Sequence, residues 1–128
     1  MKTSVFASVN AHEFIVSVDA NDPQMAGTIY HRSLLQGLPF GGIPSLALAV
    51  EDVLDSQEGS TPVDPFERGA YSNAQAGQVA TFRLDVLFRQ HNSWQGRVTW
   101  LEEGIETKFR SFLGLVFILN DILADETA

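Results

Sequence analysis

The segment Phe40 to Asp55, FGGIPSLALAVEDVLD, lies over Phe109 to Ala124, FRSFLGLVFILNDILA, at a constant offset of 69. Identities fall at Phe40/Phe109, Leu46/Leu115, Asp52/Asp121 and Leu54/Leu123, and most other positions exchange one apolar residue for another. Upstream, the same offset matches Gly27 with Gly96 and Ile29 with Val98; one gap earlier in the chain, Phe14 aligns with Phe82 and Val18 with Val86. A match of this length covers a supersecondary unit rather than one helix. Two copies of such a unit are expected to pack about a pseudo-twofold axis.

Within the second copy, residues 81–88 alternate, with Phe82, Leu84, Val86 and Phe88 on one face and Arg83 and Asp85 on the other. After a turn at 89–93 the segment WQGRVTW alternates again, placing Trp94, Gly96, Val98 and Trp100 together. Period-two patterns separated by a short polar turn predict an antiparallel hairpin. Residues 101–108 read as a polar connection, and Ser111 as the N-cap of a helix running to about Ala124. The first copy repeats this more weakly: strands at 13–19 and 25–31 about a turn at Ala20-Asn21-Asp22-Pro23, a Gly/Pro-rich connection at 36–42, and a helix from Ile43 to about Ser56 with Pro44 in its first turn. Residues 3–9 fit either an extension of the first strand or an edge strand.

The expected architecture is α+β, a tandem ββα-ββα repeat. Two hairpins join in an antiparallel sheet of four or more strands, two helices cover one face, and the other face is left open. The units span about 13–56 and 79–124, joined by a linker at 57–78 on which Phe66 and Tyr71 are the residues able to pin it to the surface. With 128 residues, 45% of them hydrophobic, the chain suits one domain and one core. Sixteen acidic against eight basic residues give a net charge of −8, which repels phosphate backbones and argues against nucleic acid. A single-stranded nucleic-acid platform also needs exposed aromatics on the open face, and Tyr30 alone qualifies. The absence of cysteine removes disulfides and thiolate metal sites. No apolar run reaches the roughly 20 residues of a membrane span, and the first fourteen residues lack a signal-peptide core, so a cytoplasmic location is expected.

Chemistry-bearing patterns are sparse. Arg83, Arg89 and Arg97 are projected toward the open face with Asp85 and Thr99 between them; they form either a surface for an anion, an acidic partner or nucleic-acid phosphate, or a cross-strand ladder of paired charges. The loop Gly37–Gly42 precedes a helix, as a phosphate cradle would, yet it lacks the lysine and Ser/Thr of a P-loop and the spacing of a dinucleotide fingerprint. Together with the arginine face it is the candidate small-ligand site. His12, His31 and His91 lack zinc-site spacing, and Asp19-Ala20-Asn21-Asp22 lacks the glycine and closing glutamate of an EF-hand; all are expected at the surface. No serine lies in a nucleophile elbow. No catalytic residue, metal or cofactor is assigned.

The strand WQGRVTW followed by Phe109-Arg110-Ser111 resembles short bacterial proteins of unknown function that carry a W-Q-G-x-V-x-W strand and then an F-R-S helix start. The resemblance covers the second copy, about a third of the chain, and implies no activity. From the residues themselves both tryptophans face the helices, and Trp100 is expected to be largely buried. On the second helix Phe112, Leu115, Val116, Leu119, Ile122 and Leu123 form the core stripe, leaving Leu113 and Phe117 on the back, with Leu48 at the matching position of the first helix. Those three are the candidate interface. The chain is expected to be a non-catalytic interaction module forming a homodimer through its helix backs, with anion or small-molecule binding as the alternative.

Overall fold

The computed structural model describes residues 12–34, 36–57, 74–90 and 93–127. The elements are β1 (Glu13–Ala20), β2 (Ala26–Tyr30), β3 (Leu38–Gly41), α1 (Ile43–Gln57), β4 (Ala80–Gln90), β5 (Ser93–Trp100), β6 (Ile105–Phe109) and α2 (Phe112–Thr127). The strands form one antiparallel sheet ordered β3-β2-β1-β4-β5-β6. The α+β class, the antiparallel sheet and the two helices are as expected.

The expected ββα unit is not observed. Each helix is preceded by three strands, because Leu38–Gly41 and Ile105–Phe109, read from sequence as connections, pair as the two sheet edges. An edge strand needs one ladder and one covered face, so it tolerates Pro39, Gly41, Glu106 and Lys108 where a central strand would not. Of the expected connection at 101–108, residues 101–104 form the turn, closed by Gly104 N–H donating to Trp100 C=O at 2.7 Å with Gly104 at φ +68°.

The central ladder joins β1 to β4, with Ile15 opposite Arg83 at its middle. On either side the register is alike: Val18 stands opposite Gly27 and Gly27 opposite Phe40, while Val86 stands opposite Gly96 and Gly96 opposite Phe109. Both hairpins carry an irregularity just beyond that row, between Val18 and Ala20 and between Val86 and Phe88. The glycines are required by close approach, since a Cβ on Gly27 would lie 1.8 Å from the Ser17 carbonyl oxygen and one on Gly96 1.8 Å from that of Asp85.

Both helices contribute to one core. Leu46, Val50, Val53 and Leu54 of α1 and Leu115, Leu119 and Leu123 of α2 pack on Phe14, Val16, Ile29, Phe82, Leu84 and Val98 of the sheet. Ser111 caps α2 as expected, its Oγ accepting from Gly114 N–H at 3.0 Å. Trp94 is buried, with its ring edge-on to Phe112 at 4.8 Å and 76°. Trp100 is only partly buried, packed against the margin of this core. No helix among the described residues is long and apolar enough to cross a membrane. The possible strand at 3–9 and the residues Phe66 and Tyr71 lie outside the described residues.

Candidate functional site

The helix backs are the first candidate surface. The residues turned to the sheet are buried, while Leu48, Leu113 and Phe117 on the opposite side are 67%, 60% and 61% exposed. Leu48 and Phe117 occupy matching positions at the offset of 69. Because both helices cover the same sheet face, their backs look outward on the same side of the molecule.

The other sheet face carries charge at one end and a small apolar cover at its centre. Glu13 and Asp85, both 8% exposed, stand opposite each other in the β1–β4 ladder. Arg83 Nε lies 3.4 Å from Glu13 Oε2, and Arg97 Nη2 lies 3.4 Å from Asp85 Oδ2. Burial, followed by repulsion from Glu13, pushes the Asp85 carboxyl above its ordinary pKa, outweighing Arg97 and Arg83. Its Oδ1 is buried without a hydrogen-bond donor among the described residues. A carboxyl with a raised pKa in the folded state binds its proton more tightly there than when unfolded, so its ionisation costs stability, and this cost is relieved as pH falls through the folded pKa. Asp85→Asn is therefore expected to raise the urea midpoint at pH 7, the gain shrinking as the pH is taken down toward the unfolded carboxylate value. A lower midpoint at pH 7 would show that the Arg97 pair outweighs burial.

Arg89 does not join Arg83 and Arg97. The extra residue between Val86 and Phe88 shifts the strand register, so Arg89 stands opposite Trp94 on the helix-covered side. There its Nη1 donates to Glu51 Oε1 at 2.5 Å and to Asp55 Oδ1 at 2.8 Å, and Trp94 Nε1 donates to Glu51 Oε2. Burial opposes the charge on Arg89, but the bonds to Asp55 and Glu51 overcome it and hold the guanidinium pKa above its ordinary value. This clamp fastens α1 to the β4–β5 hairpin. Its sequence signal is two acidic residues, Glu51 and Asp55, one helical turn apart.

The sheet face expected to be open is covered at its centre. Ile15 is fully buried beside Ala74, with Tyr30 and Leu101 packed on them. The end of the linker is stitched down there: Ser17 Oγ donates to Gln75 C=O, Gly77 N–H to Thr81 Oγ1 at 2.8 Å, Gln78 N–H to Asp19 Oδ1 at 3.0 Å and Val79 N–H to Val18 C=O at 2.8 Å. The chain passes so close that a Cβ on Gly77 would sit 2.5 Å from Val18 N.

The Gly37–Gly42 segment is largely β3 rather than a loop. The N–H of Gly42 donates to Met25 C=O at 2.7 Å, and that of Gly41 to Ser45 Oγ at 3.3 Å, so both amides are used within the fold. His31, expected at the surface, is fully buried; its ring packs on Phe14 at 4.6 Å and Nδ1 accepts from Ser33 N–H at 3.0 Å. His12 is exposed, and His91 lies outside the described residues. Among the described residues no three His, Asp or Glu side chains are grouped to hold a metal ion. A cavity of about 10 Å³ between helices and sheet is lined by Val16, Leu46, Phe82, Leu84, Val98, Leu115 and Leu119, all apolar. Set against known protein families, curated proteins and solved structures, the chain matches none of them.

Proposed function

We propose that the protein is a small non-catalytic interaction module of the cytoplasm that forms a homodimer through the backs of α1 and α2, and that it is built from two copies of a βββα unit. The observation that carries the interface is the exposure of Leu48, Leu113 and Phe117 on helices whose other side is core. Each such side chain gains roughly 1.5–3 kcal/mol when removed from water, and matching positions on two helices offer a symmetric partner the same patch twice. The duplication is supported by the matched rows Val18–Gly27–Phe40 and Val86–Gly96–Phe109. The alternative, anion or small-ligand binding, is less supported, because Arg83, Arg89 and Arg97 each lie within 3.4 Å of a carboxylate.

Size-exclusion chromatography with light scattering at tens of micromolar tests the interface. The wild type is expected at twice the mass of the chain and Phe117→Asp at the chain mass, with unchanged far-ultraviolet circular dichroism. A wild-type monomer at that concentration overturns the proposal.

A further inference from the structure

Among the described residues the sheet ends at β3 and β6, and an edge strand exposes a row of backbone donors and acceptors to any strand able to pair with it. The two edges are not equivalent. β3 has four residues, and its Pro39 has no N–H to offer. β6 keeps every N–H along five residues, and its side chains alternate: Ile105, Thr107 and Phe109 follow Trp100, Val98 and Gly96 on the helix-covered face, while Glu106 and Lys108 follow Thr99 and Arg97 on the other. Glu106 and Lys108 are exposed, and Ile105 is 51% exposed at the start of the strand.

We propose that β6 is a second self-association surface, on which β6 of another copy docks antiparallel with Thr107 opposite Thr107, extending the sheet across the contact. Charge selects this register. About Thr107 the sequence Ile-Glu-Thr-Lys-Phe is complementary to itself: Glu106 meets Lys108 of the second copy twice, and Ile105 meets Phe109 of the second copy twice. A slip of two residues sets Glu106 against Glu106 or Lys108 against Lys108, which is unfavourable. A slip of one turns the helix-covered faces to opposite sides of the sheet and sets Lys108 against Ile105. Charges on an edge ordinarily guard it against pairing; here one charge of each sign, placed symmetrically about Thr107, repels the slipped registers and accepts the centred one. Five residues bury less than the roughly 1,200 Å² typical of stable complexes, so the association is weak and falls as salt screens the two charge pairs.

This surface is separate from the helix backs, and the test keeps them apart. Sedimentation equilibrium at about 500 µM protein and low salt is run in the Phe117→Asp background, or in the wild type if that proves monomeric at tens of micromolar. Reversible dimerisation is expected at the higher concentration. Lys108→Glu should weaken it about tenfold by opposing like charges, and the double change Glu106→Lys with Lys108→Glu should restore it, because opposite charges again face each other. All three positions are exposed, so thermal unfolding should be little altered. Absence of a dimer at 500 µM overturns the proposal, as does a dimer that Lys108→Glu leaves unchanged or that the double change fails to restore.

Discussion

Gly96→Ala should lower the unfolding free energy by about 3 kcal/mol, the upper end of the usual cost of overpacking. The added methyl group would sit 1.8 Å from the Asp85 carbonyl oxygen. That atom belongs to the backbone of the neighbouring strand, so relief requires β4 and β5 to separate rather than a side chain to swing aside. Gly27→Ala should cost about as much, since its Cβ meets the Ser17 carbonyl at the same 1.8 Å. Gly104→Ala is the control: φ is +68° and nothing lies within 4 Å, so the loss should be limited to the left-handed backbone cost of roughly 1–2 kcal/mol. Urea unfolding followed by circular dichroism measures all three. A Gly96→Ala midpoint no lower than that of Gly104→Ala would mean that the strands do not approach as described.

Trp94→Ala is expected to cost about 3–5 kcal/mol, as truncation of a large buried aromatic does. Trp94 is 2% exposed, stacks edge-on with Phe112 and donates Nε1 to Glu51. Its removal therefore opens a cavity under the start of α2 and frees one oxygen of the carboxylate that ties α1 to the hairpin. Trp94→Phe keeps most of the packing and loses the hydrogen bond, and should cost about 1–2 kcal/mol. Trp100, expected from sequence to be largely buried like Trp94, is partly exposed and should be the milder truncation. If Trp100→Ala proves the costlier of the two, the deeper burial of Trp94 is wrong.

The central strands and both helices were legible because their side chains obey a single period. Phe82, Leu84 and Val86 alternate with Arg83 and Asp85, and Leu115, Leu119 and Leu123 recur at helical spacing. The edges were not, although Leu38 and Phe40, and Ile105, Thr107 and Phe109, also alternate: Pro39, Gly41, Glu106 and Lys108 mask a short pattern that a one-sided ladder tolerates. Arg89 was misplaced for a different reason. A period-two reading carried past Leu87 assigns every later residue to the wrong face once a bulge intervenes. The exposure of Leu48, Leu113 and Phe117 followed from helical angle alone. The cover over Ile15 did not, because small residues such as Ala74 and Gly77 bear no periodic mark of the surface they lie on.

The β1–β4 ladder has a further consequence for how the molecule assembles in time. Every other ladder in the sheet joins strands consecutive in the chain, so each half is a meander of local contacts. Among the described strands only this one pairs distant segments, Glu13 to Val18 with Ala80 to Asp85, and forming it requires closure of the longest loop between them. Loop-closure entropy slows nucleation along such a seam, whereas the hairpins form on microsecond timescales. The rate of folding is thus expected to depend on the encounter of the two halves along six residue pairs, and in stopped-flow refolding substitutions at Ile15, Val16, Phe82 or Arg83 should slow it more than comparable changes in the outer hairpins.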